Sequence, residues 1–155
     1  MTKIFALALF LTITFAAAGI GAMFGPDAWY AELKRPLFAP PNWVFGPVWT
    51  TLYALMAVAA WLVWLKAGIA KAKLPLGLFA LQLALNAAWT ALFFGAHRID
   101  LAHFDIVVLW VVIAVTLTRF WQISPLAGAL LAPYLAWVSF AVYLNSSFLK
   151  LNGGS

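Results

Sequence analysis

The chain contains no cysteine and very few charged residues. Of its 155 residues none is cysteine, 8% are charged and only four are acidic. Without cysteine there is no disulfide framework, no thiolate metal site and no thiol nucleophile. Soluble domains carry about a quarter charged residues, so a chain this poor in charge cannot cover a surface that faces water. The scarcity of charge therefore excludes a soluble protein.

Apolar residues make up 66% of the chain, and its mean hydropathy is +1.01. A helix that spans a bilayer needs about 20 apolar residues. We therefore predict an all-α membrane protein, with a single domain over residues 1–155 and a bundle of five transmembrane helices. A long first loop, residues 25–42, is expected to act as a lid. The predicted helices cover residues 4–24, 43–65, 75–95, 101–121 and 125–148.

The first apolar segment also resembles a cleavable signal peptide. Its apolar run continues past Ala18 to Phe24 without a polar break, which favours a retained helix. The net charge of +5 arises from basic residues scattered near segment ends. This distribution is typical of helices anchored at lipid headgroups, and it argues against a nucleic-acid partner. The basic residues divide almost evenly between the two sides, so they do not decide the orientation in the membrane.

The third predicted helix has two contrasting faces at about 100° per residue. One face consists of Gln82, Asn86, Trp89 and Phe93. Amides avoid lipid, so this face points into the bundle, where Asn86 bonds either another helix or a ligand. Small side chains on the other face allow close packing against a helix of the same chain or a second subunit. These small residues are Ala80, Ala84, Ala87, Ala91 and Gly95.

Aromatic stripes also follow the second and fifth helices. The stripe on the second helix is Phe45, Trp49, Tyr53 and Met56; the fifth carries Pro133, Trp137, Ala141 and Leu144, with Tyr134 and Asn145 at its border. Each stripe alone is explained by core packing or an interfacial belt. Together with Asn86 and Asn145, they are typical of an apolar pocket with a few convergent polar groups. Such a pocket suits a flat conjugated ligand.

Groups that carry catalytic chemistry are scarce. His97, Arg98, Asp100, His103 and Asp105 surround the third loop, but their spacing matches no strong metal motif. We expect these residues to form a solvated cluster at the membrane interface. The sequence contains no recognisable nucleophile–base pair and no phosphate-binding glycine loop. No catalytic residue and no metal site are predicted.

Three ordered blocks of residues resemble the TspO/MBR family, which comprises the tryptophan-rich sensory proteins and translocator proteins, relatives of the peripheral benzodiazepine receptor. The first block is Trp29-Tyr30, Leu33, Arg35-Pro36, Pro40-Pro41, Trp43-Val44-Phe45, Trp49-Thr50 and Leu52-Tyr53. The second is Gln82-Leu83, Asn86, Trp89 and Phe93-Phe94-Gly95, and the third is Pro133-Tyr134-Leu135-Ala136-Trp137 and Leu144-Asn145. The resemblance covers essentially the whole chain.

The resemblance implies a five-helix bundle, often dimeric, with a pocket beneath the first loop. It implies that this pocket binds porphyrins such as protoporphyrin IX, or synthetic isoquinoline and benzodiazepine-type ligands, with no cofactor required. Carried over residue by residue, the pocket consists of Trp29, Tyr30, Phe45, Trp49, Tyr53, Asn86, Trp89, Phe93, Trp137, Ala141 and Leu144. Lys34 or Arg35 on the lid would meet a propionate. Ser146 replaces the tyrosine of the sterol motif in animal members, so sterol recognition is not predicted.

Three functions remain open from the sequence. The first is a membrane receptor or translocator that binds tetrapyrroles for sensing, scavenging or transport. The second, also implied by the resemblance, is an enzyme that degrades protoporphyrin in light, with the pocket tryptophans as redox partners. The third is a structural or regulatory membrane partner whose aromatic stripes only pack. In each case the expected partners include membrane lipid and a second copy of the chain.

Overall fold

The computed structural model describes residues 2–153, and no strand occurs within them. Five helices are long and apolar enough to cross a membrane. The helices are α1 (Lys3–Ala22), α2 (Ala28–Glu32), α3 (Phe45–Lys71), α4 (Lys73–Thr90), α5 (Ile99–Ile123) and α6 (Pro125–Leu151). The short α2 lies in the first loop and is the one helix of the set that cannot span. These helices confirm the predicted five-helix membrane bundle.

Local sequence explains how several helices begin. The Ser124 hydroxyl accepts a hydrogen bond from the Ala127 N–H, and Pro125 occupies the first turn of α6. A proline is tolerated there because the first N–H groups of a helix have no partner within it. Asp27 caps α2 in the same way through the Tyr30 N–H. A 3₁₀ turn (Asn42–Val44) leads into α3, and a π-helical turn (Ala91–Gly95) extends α4.

The second spanning helix is longer than predicted because its break lies at a glycine rather than at the first lysine. The prediction ended this helix at residue 65, whereas α3 continues to Lys71. Gly68 interrupts the helical geometry with φ 71° and ψ 167°, a conformation essentially reserved for glycine. Lys66 is exposed and remains within the helix, because a single lysine near a membrane surface does not end one.

The helices pack around a shared apolar core. α5 lies against both α4 and α6, and α3 lies against α1 and α6. The core residues common to these contacts include Met56, Ala60, Val63, Ile113 and Val138. α1 is peripheral, since it contacts α3 and α4 and contributes few buried residues.

The small-residue face of α4 is divided along its length. At one end Gly95 packs against Phe24, which a β-carbon on Gly95 would approach to 2.8 Å. At the other end Ala80 and Ala84 remain exposed, and Ala87 and Ala91 are half-buried between the two ends. This face therefore serves helix packing within the chain only in part.

Candidate ligand-binding site

A chain of polar side chains crosses the centre of the bundle. The Tyr53 hydroxyl donates to Asn86 Oδ1 at 3.0 Å, and Asn86 Nδ2 donates to the Tyr134 hydroxyl at 2.8 Å. The Tyr134 hydroxyl donates in turn to Gln82 Oε1 at 2.6 Å. Gln82 Nε2 ends the chain on Met56 Sδ at 3.8 Å. All five side chains are buried, so these hydrogen bonds join α3, α4 and α6 where water cannot compete.

Aromatic rings cover this polar chain on one side. The Trp49 ring lies 5.6 Å from that of Tyr53 and 6.1 Å from that of Tyr134. Phe45 meets Trp137 edge-on at 5.8 Å. Phe45, Trp49 and Trp137 are each half-buried, whereas the tyrosines are buried. The half-buried rings therefore form an accessible layer above the hydrogen-bonded centre.

A second aromatic cluster lies directly beneath the lid. Its buried members include Tyr30, Phe93, Leu144 and Phe148. The Tyr30 ring lies 6.2 Å from that of Phe93 and 5.9 Å from that of Phe148. Trp89 packs against both clusters and donates through Nε1 to Asn145 Oδ1 at 2.8 Å. The two clusters are thus continuous through Trp89.

The lid is fastened by one arginine. Arg35 donates to the Tyr30 hydroxyl at 2.9 Å, to Asn42 Oδ1 at 3.1 Å and to the Pro40 carbonyl at 3.0 Å. Its guanidinium also lies 5.5 Å from the centre of the Tyr30 ring. Arg35 therefore links the start of the lid to its end, and most of its N–H donors are used within the lid.

Two further contacts fix the lid to the rest of the molecule. The backbone of Lys34 exchanges hydrogen bonds with the Asn152 side chain at 3.0 and 3.1 Å, which joins the lid to the end of α6. Asp27 contacts His97, whose ring stacks on Trp29 at 4.2 Å. The Lys34 side chain is exposed and forms no ion pair within residues 2–153.

The residues of the predicted pocket fall into the two clusters. Trp49, Tyr53, Trp137 and Ala141 belong to the central cluster. Trp29, Tyr30, Phe45, Phe93 and Leu144 belong to the cluster beneath the lid, and Trp89 belongs to both. Asn86 joins the central cluster through its bonds to two tyrosines. The amide of Asn86 is therefore occupied by protein partners in this arrangement.

Tyr134 and Gln82 are central to the site, although the list of predicted pocket residues omits both. Tyr134 is fully buried and bonds to both Asn86 and Gln82. Gln82 stands one helical turn before Asn86, so its place on the polar face of α4 was the signal for it. The signal for Tyr134 was its place at the border of the α6 stripe, in the middle of a spanning helix.

The expected interfacial cluster around the third loop does not exist as one unit. Arg98 pairs with Asp100 at 2.7 Å, and His97 pairs with Asp27 of the lid. The prediction is wrong for Asp105, which is only 7% exposed and whose Oδ2 has no hydrogen-bond partner within the described residues. Asp105 shares the bundle-facing side of α5 with buried Ala102 and Leu109, and this placement buries the carboxylate.

Within residues 2–153, no three histidine, aspartate or glutamate side chains come together as metal ligands. An open groove of about 330 Å³ lies on the outer surface between α5 and α6. It is lined by Val107, Trp110, Ser139 and Val142. None of these residues belongs to the predicted pocket, so the groove is separate from the site beneath the lid.

Comparison with known proteins assigns the chain to a family. A profile of the TspO/MBR family matches residues 6–151. The chain belongs to the TspO/MBR family. The human translocator protein is 46% identical over 128 residues, which cover 81% of this chain and 76% of the human protein. The tryptophan-rich sensory protein of Cereibacter sphaeroides is 42% identical over 148 residues, covering 94% and 92%. Protein CrtK of Rhodobacter capsulatus is 40% identical over 151 residues, covering 95% and 92%.

Membership of the TspO/MBR family and the five spanning helices make this chain an integral, multi-pass membrane protein of the receptor or translocator type. The three relatives are named as a translocator, a sensory protein and CrtK, and none of these names describes an enzyme. Many of the residues on which the resemblance rests, among them Tyr30, Trp49 and Trp89, lie in the two aromatic clusters.

Proposed function

We propose that the protein binds flat, apolar tetrapyrroles such as protoporphyrin IX beneath its lid, for sensing, scavenging or transport. The observation that carries this proposal is the continuous aromatic layer formed by the two clusters, with hydrogen-bonded Tyr53, Asn86 and Tyr134 beneath it. Apolar sites with a few fixed polar groups are typical of small-molecule binding. A macrocycle offers large faces for stacking against such rings.

Entry of the ligand requires the rings to separate. Phe45 and Trp137 contact each other at 5.8 Å, and Trp49 contacts Tyr53 and Tyr134. Phe45, Trp49 and Trp137 are half-buried, so part of each ring remains open to a ligand. A flat ligand that slides between these rings exchanges ring–ring contacts for ring–ligand contacts of the same kind. The buried tyrosines and Asn86 keep their bonds and form the floor.

The two basic side chains of the lid, Arg35 and Lys34, differ in how free they are to bind a ligand. Arg35 already donates to Tyr30, Asn42 and Pro40, so a propionate has to compete for it. Lys34 has an exposed side chain without an ion pair in the described part of the chain. We therefore assign the propionate contact to Lys34 and a lid-holding role to Arg35. An ammonium contacts a carboxylate as a point charge and needs no fixed geometry.

The first experiment is a titration of the nanodisc-embedded protein with protoporphyrin IX, followed by the shift of the porphyrin Soret band. Trp49→Phe removes stacking area and is expected to weaken binding about two- to tenfold. Trp121→Phe is the matched control, because Trp121 is exposed and lies outside both clusters. Non-saturating shifts equal in all forms mean that the porphyrin only partitions into lipid, and the protein is then a structural partner.

Esterified porphyrin tests the assignment of Lys34. Lys34→Gln is expected to weaken protoporphyrin IX binding about two- to fivefold, the range for exposed ion pairs. The same variant should bind the dimethyl ester of protoporphyrin as tightly as wild type does, because the ester has no charge to meet. Arg35→Gln should weaken the binding of both ligands, because it releases the lid. Equal loss of both ligands in Lys34→Gln contradicts the assignment.

A second candidate function is light-dependent degradation of the bound porphyrin. The observation that favours it is the contact of Trp49 with two tyrosines, one of which starts the hydrogen-bonded chain to Asn86. Illumination of the complex should then bleach the Soret band with formation of a defined product. Trp49→Phe and Trp137→Phe should stop product formation at full porphyrin occupancy. Unchanged bleaching in both variants leaves binding as the function.

A further inference from the structure

Asp27 and His97 join the lid to the loop between α4 and α5. Asp27 Oδ1 accepts the Tyr30 N–H at 3.0 Å and so caps α2, while its Oδ2 lies 3.0 Å from His97 Nε2. The His97 ring also stacks on Trp29 at 4.2 Å with only 10° between the planes. One histidine thus contacts both the N-cap and the first turn of the lid helix.

The backbone at His97 is held in an unusual conformation that directs this ring. Its φ is 57°, the only positive φ at a residue other than glycine within residues 2–153. Histidine is among the residues that tolerate this left-handed region better than most. The preceding π-helical turn fixes the conformation, since the Arg98 N–H donates to the Leu92 carbonyl at 2.9 Å and the Ala96 N–H to that of Ala91. Backbone outliers of this kind concentrate at functional contacts.

We propose that Asp27 and His97 form a latch that holds the lid helix closed against the α4–α5 loop, and that protonation of His97 tightens it. Neutral imidazole makes an ordinary hydrogen bond to the carboxylate, whereas imidazolium makes a charge-assisted bond about twice as strong. Imidazolium stacked on the Trp29 indole gains a cation–π attraction as well. The latch goes beyond the proposed function, because it concerns the lid without any ligand.

The carboxylate partner stays charged over the range in which imidazole titrates. The Tyr30 N–H, and after it the His97 side chain, hold the pKa of Asp27 below its ordinary value. Asp27 therefore stays ionised over the range of about pH 5 to pH 8 in which imidazole groups in general change charge. The latch is expected to tighten as the pH falls through this window and to loosen as it rises. Well below it, protonation of Asp27 would release the latch again.

Other charged groups lie on the two segments that meet here. On the lid these are Glu32, Lys34 and Arg35, and beyond His97 they are Arg98, Asp100 and His103. Arg98 is paired with Asp100, and Arg35 is bound within the lid. His103 is the second imidazole of the chain, so a pH effect alone does not identify the group. Variants at His97 and Asp27 are needed for that.

The absence of cysteine allows two spin labels to be placed without background. Ala31→Cys labels the exposed side of α2, and Leu126→Cys labels the start of α6. Helix α5 runs from the lid side of the bundle over 25 residues, each of which rises about 1.5 Å. Leu126 follows soon after the end of α5, so a label there lies at the far end of the bundle. Pulsed electron paramagnetic resonance on ligand-free protein in nanodiscs then gives the fraction of open lid. In wild type this fraction is expected to rise about two- to fivefold between about pH 5.5 and pH 8.5, the range for exposed ion pairs.

Three variants test whether the latch causes this change. His97→Asn keeps a residue that tolerates positive φ but is too short to reach the lid, so its open fraction should be the same at both pH values and at least as high as that of wild type at pH 8.5. His97→Arg carries a permanent charge and should keep the lid closed at both. Asp27→Asn preserves the helix cap but removes the charge, so its open fraction should respond to pH less than that of wild type, through the remaining stacking on Trp29 alone. A pH response that persists in His97→Asn, an undiminished response in Asp27→Asn, or no response in wild type overturns the latch.

The experiments on the latch use ligand-free protein, and porphyrin binding is measured only after them. The latch and the proposed function can therefore fail separately. If the latch controls access, the association rate of protoporphyrin IX should follow the open fraction across the variants. A working latch with no porphyrin binding would overturn the proposed function alone.

Discussion

At the scale of single residues, the buried hydrogen-bonded chain predicts unequal effects for two similar tyrosines. Tyr134→Phe leaves both Asn86 Nδ2 and Gln82 Oε1 without a partner, whereas Tyr53→Phe leaves only Asn86 Oδ1. Each buried group left unpaired costs about 1–3 kcal/mol. The free energy of unfolding, measured by denaturant titration in detergent, should therefore fall more for Tyr134→Phe. Tyr143→Phe is the control: Tyr143 is exposed and donates no side-chain hydrogen bond, so stability should not change.

Asp105 gives a prediction of the opposite sign at the same scale. Its buried Oδ2 has no partner in the described chain, so Asp105→Leu removes an unsatisfied polar group without breaking a hydrogen bond. We expect the free energy of unfolding to rise by about 1–3 kcal/mol. Asp100→Leu is the comparison, since it breaks the contact with Arg98 and should bring no gain. A loss of stability in Asp105→Leu would mean that the carboxylate has a stabilising partner.

At the scale of the helices, Gly68 decides where α3 is interrupted. Its φ of 71° and ψ of 167° lie in a region essentially limited to glycine, so Gly68→Ala should lower the free energy of unfolding by about 1–3 kcal/mol. Gly77→Ala is the matched control, because Gly77 is in regular α4 with no atom near its missing side chain. That same change should be neutral or stabilise by up to about 1 kcal/mol. Equal melting temperatures for both variants would contradict the role of Gly68.

These helices also show what the sequence can and cannot predict. Five spanning helices follow from composition and segment length. In lipid, only a helix or a closed barrel satisfies the hydrogen-bonding groups of the backbone. Periodicity placed Asn86 and Trp89 on one face of α4. It could not assign the tyrosine partners of Asn86, because these depend on the rotation of α3 and α6. Asp105 was misplaced because its charge suggested the interface, whereas its position on α5 turned it inward. The contacts of Arg35 and His97 depend on loop geometry, which carries no periodic signal.

At the scale of the whole molecule, the exposed end of the small-residue face on α4 predicts association. Ala80 and Ala84 are exposed on a membrane-spanning helix, and small residues one turn apart allow helices of two subunits to approach closely. We expect a homodimer through this face, with Ala84→Leu lowering the dimer fraction severalfold by holding the backbones apart. Ala132→Leu is the control, because Ala132 is an equally small exposed residue on α6. Single-molecule photobleaching of labelled protein in bilayers at a series of protein-to-lipid ratios measures the dimer fraction. A dimer that survives Ala84→Leu, or that is lost equally in Ala132→Leu, would place the interface elsewhere, and the exposed alanines would then face lipid alone.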